Sequence, residues 1–113
     1  MEIPQASVLL RIIVDESDTW HGKSLHTAIV EEARNSGLAG ATVFRGFEGY
    51  GVNGRIHTTH LVDITPDLPM LVEIVDAEEK IQAFLPTVES MMQGGVVTLQ
   101  PVTVMLYRAA RGR

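Results

Sequence analysis

The chain contains no cysteine, which removes disulfides, thiolate nucleophiles and thiolate metal sites together and leaves compartment unmarked by cysteine usage. No apolar run approaches the ~20 residues needed to cross a bilayer, so no direct membrane insertion is expected. The opening "MEIP" lacks the basic and apolar regions of a secretory signal, and a cytoplasmic location is expected. Positive charge is in the minority: nine Lys and Arg against fourteen Asp and Glu give a net charge of −5. That balance disfavours a general nucleic-acid binder, which needs a basic face to displace counterions. Also missing are a Walker A loop, a nucleophile elbow and an HExxH spacing. The glycines at 46, 49 and 51 follow a strand but do not lead into a helix, so they are not a dinucleotide fingerprint. An enzyme is not expected, and no cofactor is expected to be required.

The 113 residues fit one domain, residues 1–113, and an apolar fraction of 45% supports a single core. "SVLLRIIV", 7–14, is a β-branched apolar run and reads as a buried strand. "DESDTWHG", 15–22, is polar turn chemistry. Leu25, Ala28, Ile29 and Ala33 repeat at helical spacing between Ser24 and Ser36, and Gly37 closes that helix. Residues 41–45 form a second strand; "HLVDI", 60–64, continues its hairpin; "MLVEIV", 70–75, forms a third strand. Asp76 is read as the cap of a second helix, with Glu79 three residues on. Ile81, Phe84, Leu85, Val88 and Met92 give that helix one apolar face, and Pro86 inside it is expected to bend it. Gly94 and Gly95 end it, and "VTVMLY", 102–107, is read as the fourth strand.

The order βαββαβ specifies the ferredoxin-like α+β plan, a four-stranded antiparallel sheet with two helices on one face. The strands do not alternate cleanly. Leu9 and Ile13 share the face of Arg11, and Met105 and Tyr107 share that of Thr103. Exposing both sets would leave an apolar patch larger than monomers tolerate, so a closed oligomer is expected to cover the uncovered sheet face.

The stretch "RGFEGYGVNGR", 45–55, brings four glycines between two arginines. As structure it is a hairpin connection whose glycines supply positive φ. As function, glycines let backbone N–H groups approach an anion, with Arg45 or Arg55 completing the charge. Asp15, Glu16 and Asp18 form an acidic cluster, readable as paired carboxylates or as solvated turn residues. Trp20 packs on the first helix or stacks on a base. His57 and His60 stand three apart, on opposite faces of an extended strand, and no intrinsic metal site is assigned.

"WHGKSLHTAIVEEARNSGLAGATVFRGFEGYG" and "LPMLVEIVDAEEKIQAFLP" resemble the small uncharacterised proteins related to the nitrogen-regulatory PII signalling proteins, over nearly the whole chain from about Leu10 to Tyr107. The resemblance implies a homotrimer with the CutA-like trimeric fold. An adenine nucleotide would sit between subunits, under a mobile loop of about 46–59 that signals to a partner protein. It places Thr42, Arg45, Gly46, Phe47, Glu48, Gly49, Arg55, Gln93, Gly94, Gly95 and Arg108 around the ligand, with Arg108 heading a short basic tail, about 108–113. "QGGVV" has no lysine where PII proteins hold phosphates, so a nucleotide with fewer phosphates, or another small anion, fits better. A membrane transporter of the CrcB type is the partner that the resemblance implies. A CutA-like divalent-metal-binding trimer is the alternative.

Overall fold

A computed structural model describes residues 2–51, 56–58 and 67–110. Arg55, His60, the "HLVDI" stretch and residues 111–113 lie outside the described residues. The chain order is β1 (Ala6–Asp15), β2 (Thr19–Trp20), β3 (Lys23–Ser24), α1 (Leu25–Asn35), β4 (Thr42–Arg45), β5 (Glu48–Gly49), β6 (His57–Thr58), β7 (Pro69–Asp76), α2 (Glu78–Met91) and β8 (Val96–Thr103). The main sheet runs β4-β7-β1-β8, antiparallel throughout. This is the expected ferredoxin-like plan with two small ribbons added, β2–β3 and β5–β6.

Period-2 alternation builds one sheet face. Val8, Leu10, Ile12 and Val14 of β1 and Met70, Val72 and Ile74 of β7 are buried. Against them lie Leu25, Ala28, Ile29 and Ala33 of α1, and Ile81, Phe84, Val88 and Met91 of α2. Each such large side chain stabilises the fold by roughly 1.5–3 kcal/mol. The first helix ends as read: Gly37 at φ 78 donates to Arg34 O while Leu38 N–H donates to Ala33 O. That pair of bonds is a Schellman close, with buried Leu38 completing it. Pro86 lies inside α2 on its exposed side, where water can satisfy the carbonyl it leaves unpaired.

Three expectations need correction. The last strand is Val96–Thr103, not 102–107, because its register is dictated by β1: Val96 faces Ile13 and Thr103 faces Ala6. Pro101 inside it is tolerated since β8 is an edge strand. Met105 and Tyr107 therefore lie beyond the strand, and Tyr107 Oη donates to Ala39 O at 2.6 Å. Asp76 does not cap α2; it ends β7, and Ala77 takes the N-cap position with no side-chain bond. Its buried carboxylate instead accepts from Ala39 N–H (2.8 Å) and Ala77 N–H (2.6 Å). "DESDTWHG" is more than a turn: His21 (φ 50) and Gly22 (φ 84) make a two-residue hairpin connection between β2 and β3.

The sheet face away from the helices carries Leu9, Ile13, Leu71, Val75 and Phe44 around an Arg11–Glu73 ion pair of 2.9 Å. Ile13 is 39% exposed and Phe44 49%. The edge strand β8 also exposes Val96, Val97 and Leu99.

Candidate functional site

The carboxyl end of β1 and the start of β8 meet at one end of the sheet, because Ile13 pairs with Val96. Beside them stands Pro69, paired with Asp15. These ends, with Asp18, residues 49–51 and Gly94–Gly95, enclose a cleft of about 480 Å³. That volume lies within the range of small-molecule sites. Two glycine segments singled out in the sequence, 45 residues apart at Gly49 and Gly94, thus share one cavity wall. Its floor is apolar, from Ile13, Val14, Pro69 and Val96. Asp15, Asp18 and Tyr50 also line the cleft. Among the described residues, no lysine, arginine or histidine lines it.

The glycines serve different ends. Gly46, 49 and 51 do not have positive φ, contrary to the hairpin expectation. Gly46 is required by close approach: its N–H donates to Pro69 O at 2.6 Å, and a Cβ there would lie 2.5 Å from Pro69 Cγ. Gly95 has φ +121, and a Cβ would meet the Ile13 carbonyl oxygen and Met92 Cε. Gly94 and Gly51 face open space; nothing in the packing requires them to lack a side chain.

Other expected residues are placed elsewhere. Thr42 sits on the uncovered sheet face opposite Glu73. Glu48 begins the β5–β6 ribbon opposite Thr58, and Phe47 is exposed beside it. Gln93 is exposed next to the cleft but does not line it. Arg108 follows Tyr107 near Ala39, at the opposite end of β1 from the cleft. Ten strand residues span ~30 Å, so Arg108 cannot serve the cleft of its own chain.

Arg45 is not a lining residue either. Its guanidinium grips Glu16 with both arms, Nε to Oε2 at 2.9 Å and Nη2 to Oε1 at 3.0 Å. The Arg45 hydrogen bond is the main cause that holds the Glu16 carboxyl below its ordinary value of 4.5, and the same bond raises Arg45. A depressed carboxyl stabilises the fold fully above its unfolded pKa and ceases to do so as pH falls through the folded one. The pair is solvent-facing, so the effect is small and salt-sensitive. In an acid titration, Arg45→Ala is expected to return the Glu16 midpoint towards 4.5, with a negligible change in melting temperature near neutral pH.

Sequence reasoning missed Ile13, Pro69 and Asp18 as cleft residues, and Glu16 as the partner of Arg45. The "DESD" stretch was the available signal, since it follows directly on the first strand. Among the described residues, no three His, Asp or Glu side chains gather as metal ligands. No described helix is long and apolar enough to cross a membrane.

Comparison with known proteins bears on the family and the fold. Residues 7–104 match the DUF190 family, described as "Uncharacterized ACR, COG1993". A UPF0166 protein of Aquifex aeolicus is 40% identical over 97 residues, covering 86% of this chain and 91% of the relative. Another from Methanocaldococcus jannaschii is 32% identical, covering 80% and 84%. Among solved structures, CPII, a nitrogen regulatory PII-like protein from Thiomonas intermedia K12 bound to ADP, AMP and bicarbonate, superposes with a TM-score of 0.60. It is 20% identical and covers 88% of each chain. The divalent ion tolerance protein CutA1 of Ehrlichia chaffeensis gives 0.56 at 11% identity, covering 92% of this chain and 86% of that one. The chain belongs to the DUF190 family, on the fold that PII-like and CutA1 proteins share.

Proposed function

We propose that this protein is a non-enzymatic, cytoplasmic PII-like sensor that binds a small ligand, an adenine nucleotide, in the cleft between β1, β8 and residues 49–51. One observation carries the reading: the two glycine segments converge on a ligand-sized cavity at the same end of the sheet. A PII-like protein of the same fold was solved with ADP and AMP, which supports the choice of nucleotide.

The cleft brings acceptors and an apolar floor but no described cation. It therefore suits the nucleoside end, whose hydroxyl and amino groups donate. The charge opposite a phosphate has to come from a second copy. Homotrimer formation through the uncovered face would supply it, bringing Arg108 of a neighbouring copy within reach while hiding Ile13, Leu71 and Phe44 from water. Nucleotide occupancy then alters the segment between β4 and β7 and its affinity for a partner protein. The partner class is a membrane transporter of the CrcB type.

Light scattering combined with calorimetry tests this. A trimer, three times the 12.4 kDa chain, and saturable binding of AMP or ADP, tighter than that of ATP, are expected. A monodisperse single chain removes the shared site. Stabilisation by zinc alone would favour the CutA-like reading.

A further inference from the structure

We propose that the turn of residues 15–18 is a relay that couples the cleft to both strand ends flanking the segment between β4 and β7. The inference rests on the cleft reading above. On one side the turn belongs to the cleft, since Asp15 and Asp18 line it. The turn is closed on itself: Asp18 N–H donates to Asp15 O and Asp15 N–H to Asp18 Oδ2, each at 3.0 Å. It is pinned to α1 by Leu25 N–H donating to Asp18 O at 2.8 Å.

On its other side the same turn grips both strand ends. Glu16 holds Arg45, the last residue of β4, through two arms. Glu16 N–H donates to Leu68 O at 2.9 Å, and Ser17 Oγ donates to Asp67 Oδ1 at 2.8 Å, just ahead of β7. The two ends are joined to each other by the Gly46 N–H bond to Pro69 O. A ligand that displaces Asp15 or Asp18 therefore pulls on residues 45–46 and 67–68, none of which lines the cleft. Rigid bonded connections of this kind carry displacement because each has a defined geometry to lose. Glu16 and Ser17 are positioning residues; neither lines the cleft.

Two measurements separate this from the nucleotide reading. In the free protein, amide shifts are followed through an acid titration. The groups around the Glu16 carboxylate are Arg45 from β4, His26 from α1, and Asp15 and Asp18 in the turn. Protonating Glu16 is expected to move the amides of Gly46, Leu68, Asp18 and Gly95 with one shared midpoint below 4.5, a component absent in Glu16→Gln. Confinement of that component to residues 16 and 45 overturns the relay.

The second measurement adds saturating ADP to the wild type and to the Glu16→Gln/Ser17→Ala variant. The ADP-induced shift at Gly46 and Leu68 is expected to fall at least threefold in the variant, with the shift at Asp18 retained. Equal shifts at saturation overturn the relay, as does complete loss of ADP binding, which would place Glu16 and Ser17 in the binding wall instead. A wild type that shows no response to ADP counts against the nucleotide reading alone, and the acid titration then decides the relay. Ser17→Ala by itself removes one exposed contact and keeps the test open if the double variant does not fold.

Discussion

Gly95→Ala is expected to lower the melting temperature by more than 10 °C, whereas Gly94→Ala next to it leaves the melt within a degree or two. At Gly95 two penalties add. The backbone holds φ +121, a conformation that costs an L residue about 1–3 kcal/mol. The new methyl also meets the Ile13 carbonyl and Met92 Cε; the methionine end can swing aside, but the carbonyl cannot, since Ile13 is paired on both sides within the sheet. A total of about 3 kcal/mol or more follows, and each kcal/mol moves the midpoint of a domain of this size by roughly 4–8 °C. Gly94 has ordinary φ and open space, so its substitution falls within the ~0.5 kcal/mol typical of surface changes. It nevertheless narrows the cleft, and Gly94→Ala is expected to weaken ADP binding about tenfold in a protein of normal stability. Differential scanning calorimetry and an ADP titration on the same two variants check both halves. Equal melts for the two would show that the turn before β8 is not built as described.

The second large effect is at Asp76, which is 1% exposed. Its carboxylate receives the N–H groups of Ala39 and Ala77, joining the loop before β4 to the start of α2. Asp76→Ala leaves both donors without that acceptor in a part-buried site, where an unmet backbone group costs about 1–3 kcal/mol. A loss of about 2–4 kcal/mol is expected, read as a lower urea midpoint with an unchanged slope. Asp76→Asn keeps one acceptor oxygen and is expected to lose roughly half as much. Because Ala39 O also takes the Tyr107 hydroxyl, near-ultraviolet circular dichroism of Tyr107 should report the loosening of that loop. A wild-type midpoint for the alanine variant would rule out the carboxylate as the tie.

Local patterns were enough for much of the architecture. The β-branched apolar runs of 7–14 and 70–75, the helical spacing from Leu25 to Ala33 and the glycine at 37 each express a rule that acts within a few residues. All four reappear as β1, β7, α1 and its close. The last strand failed that test because "VVTLQPVT" is exposed along nearly its whole length. An edge strand with little burial shows no alternation to read, and Pro101 discouraged it further.

The candidate site was half legible for the same reason. Glycines at 49, 94 and 95 could be marked by composition, and they do meet at the cleft. Arg45 could not be assigned, because its partner Glu16 is 29 residues away. The neighbours of Asp76 point to a helix cap, while its decisive contact, Ala39, is 37 residues away. Short-range periodicity thus settled the βαββαβ order without help, since a strand or helix needs only its own face pattern. Where the last strand begins, which charges are already spent and which glycines are obligatory depended on strands brought side by side, a matter of register that no single segment encodes.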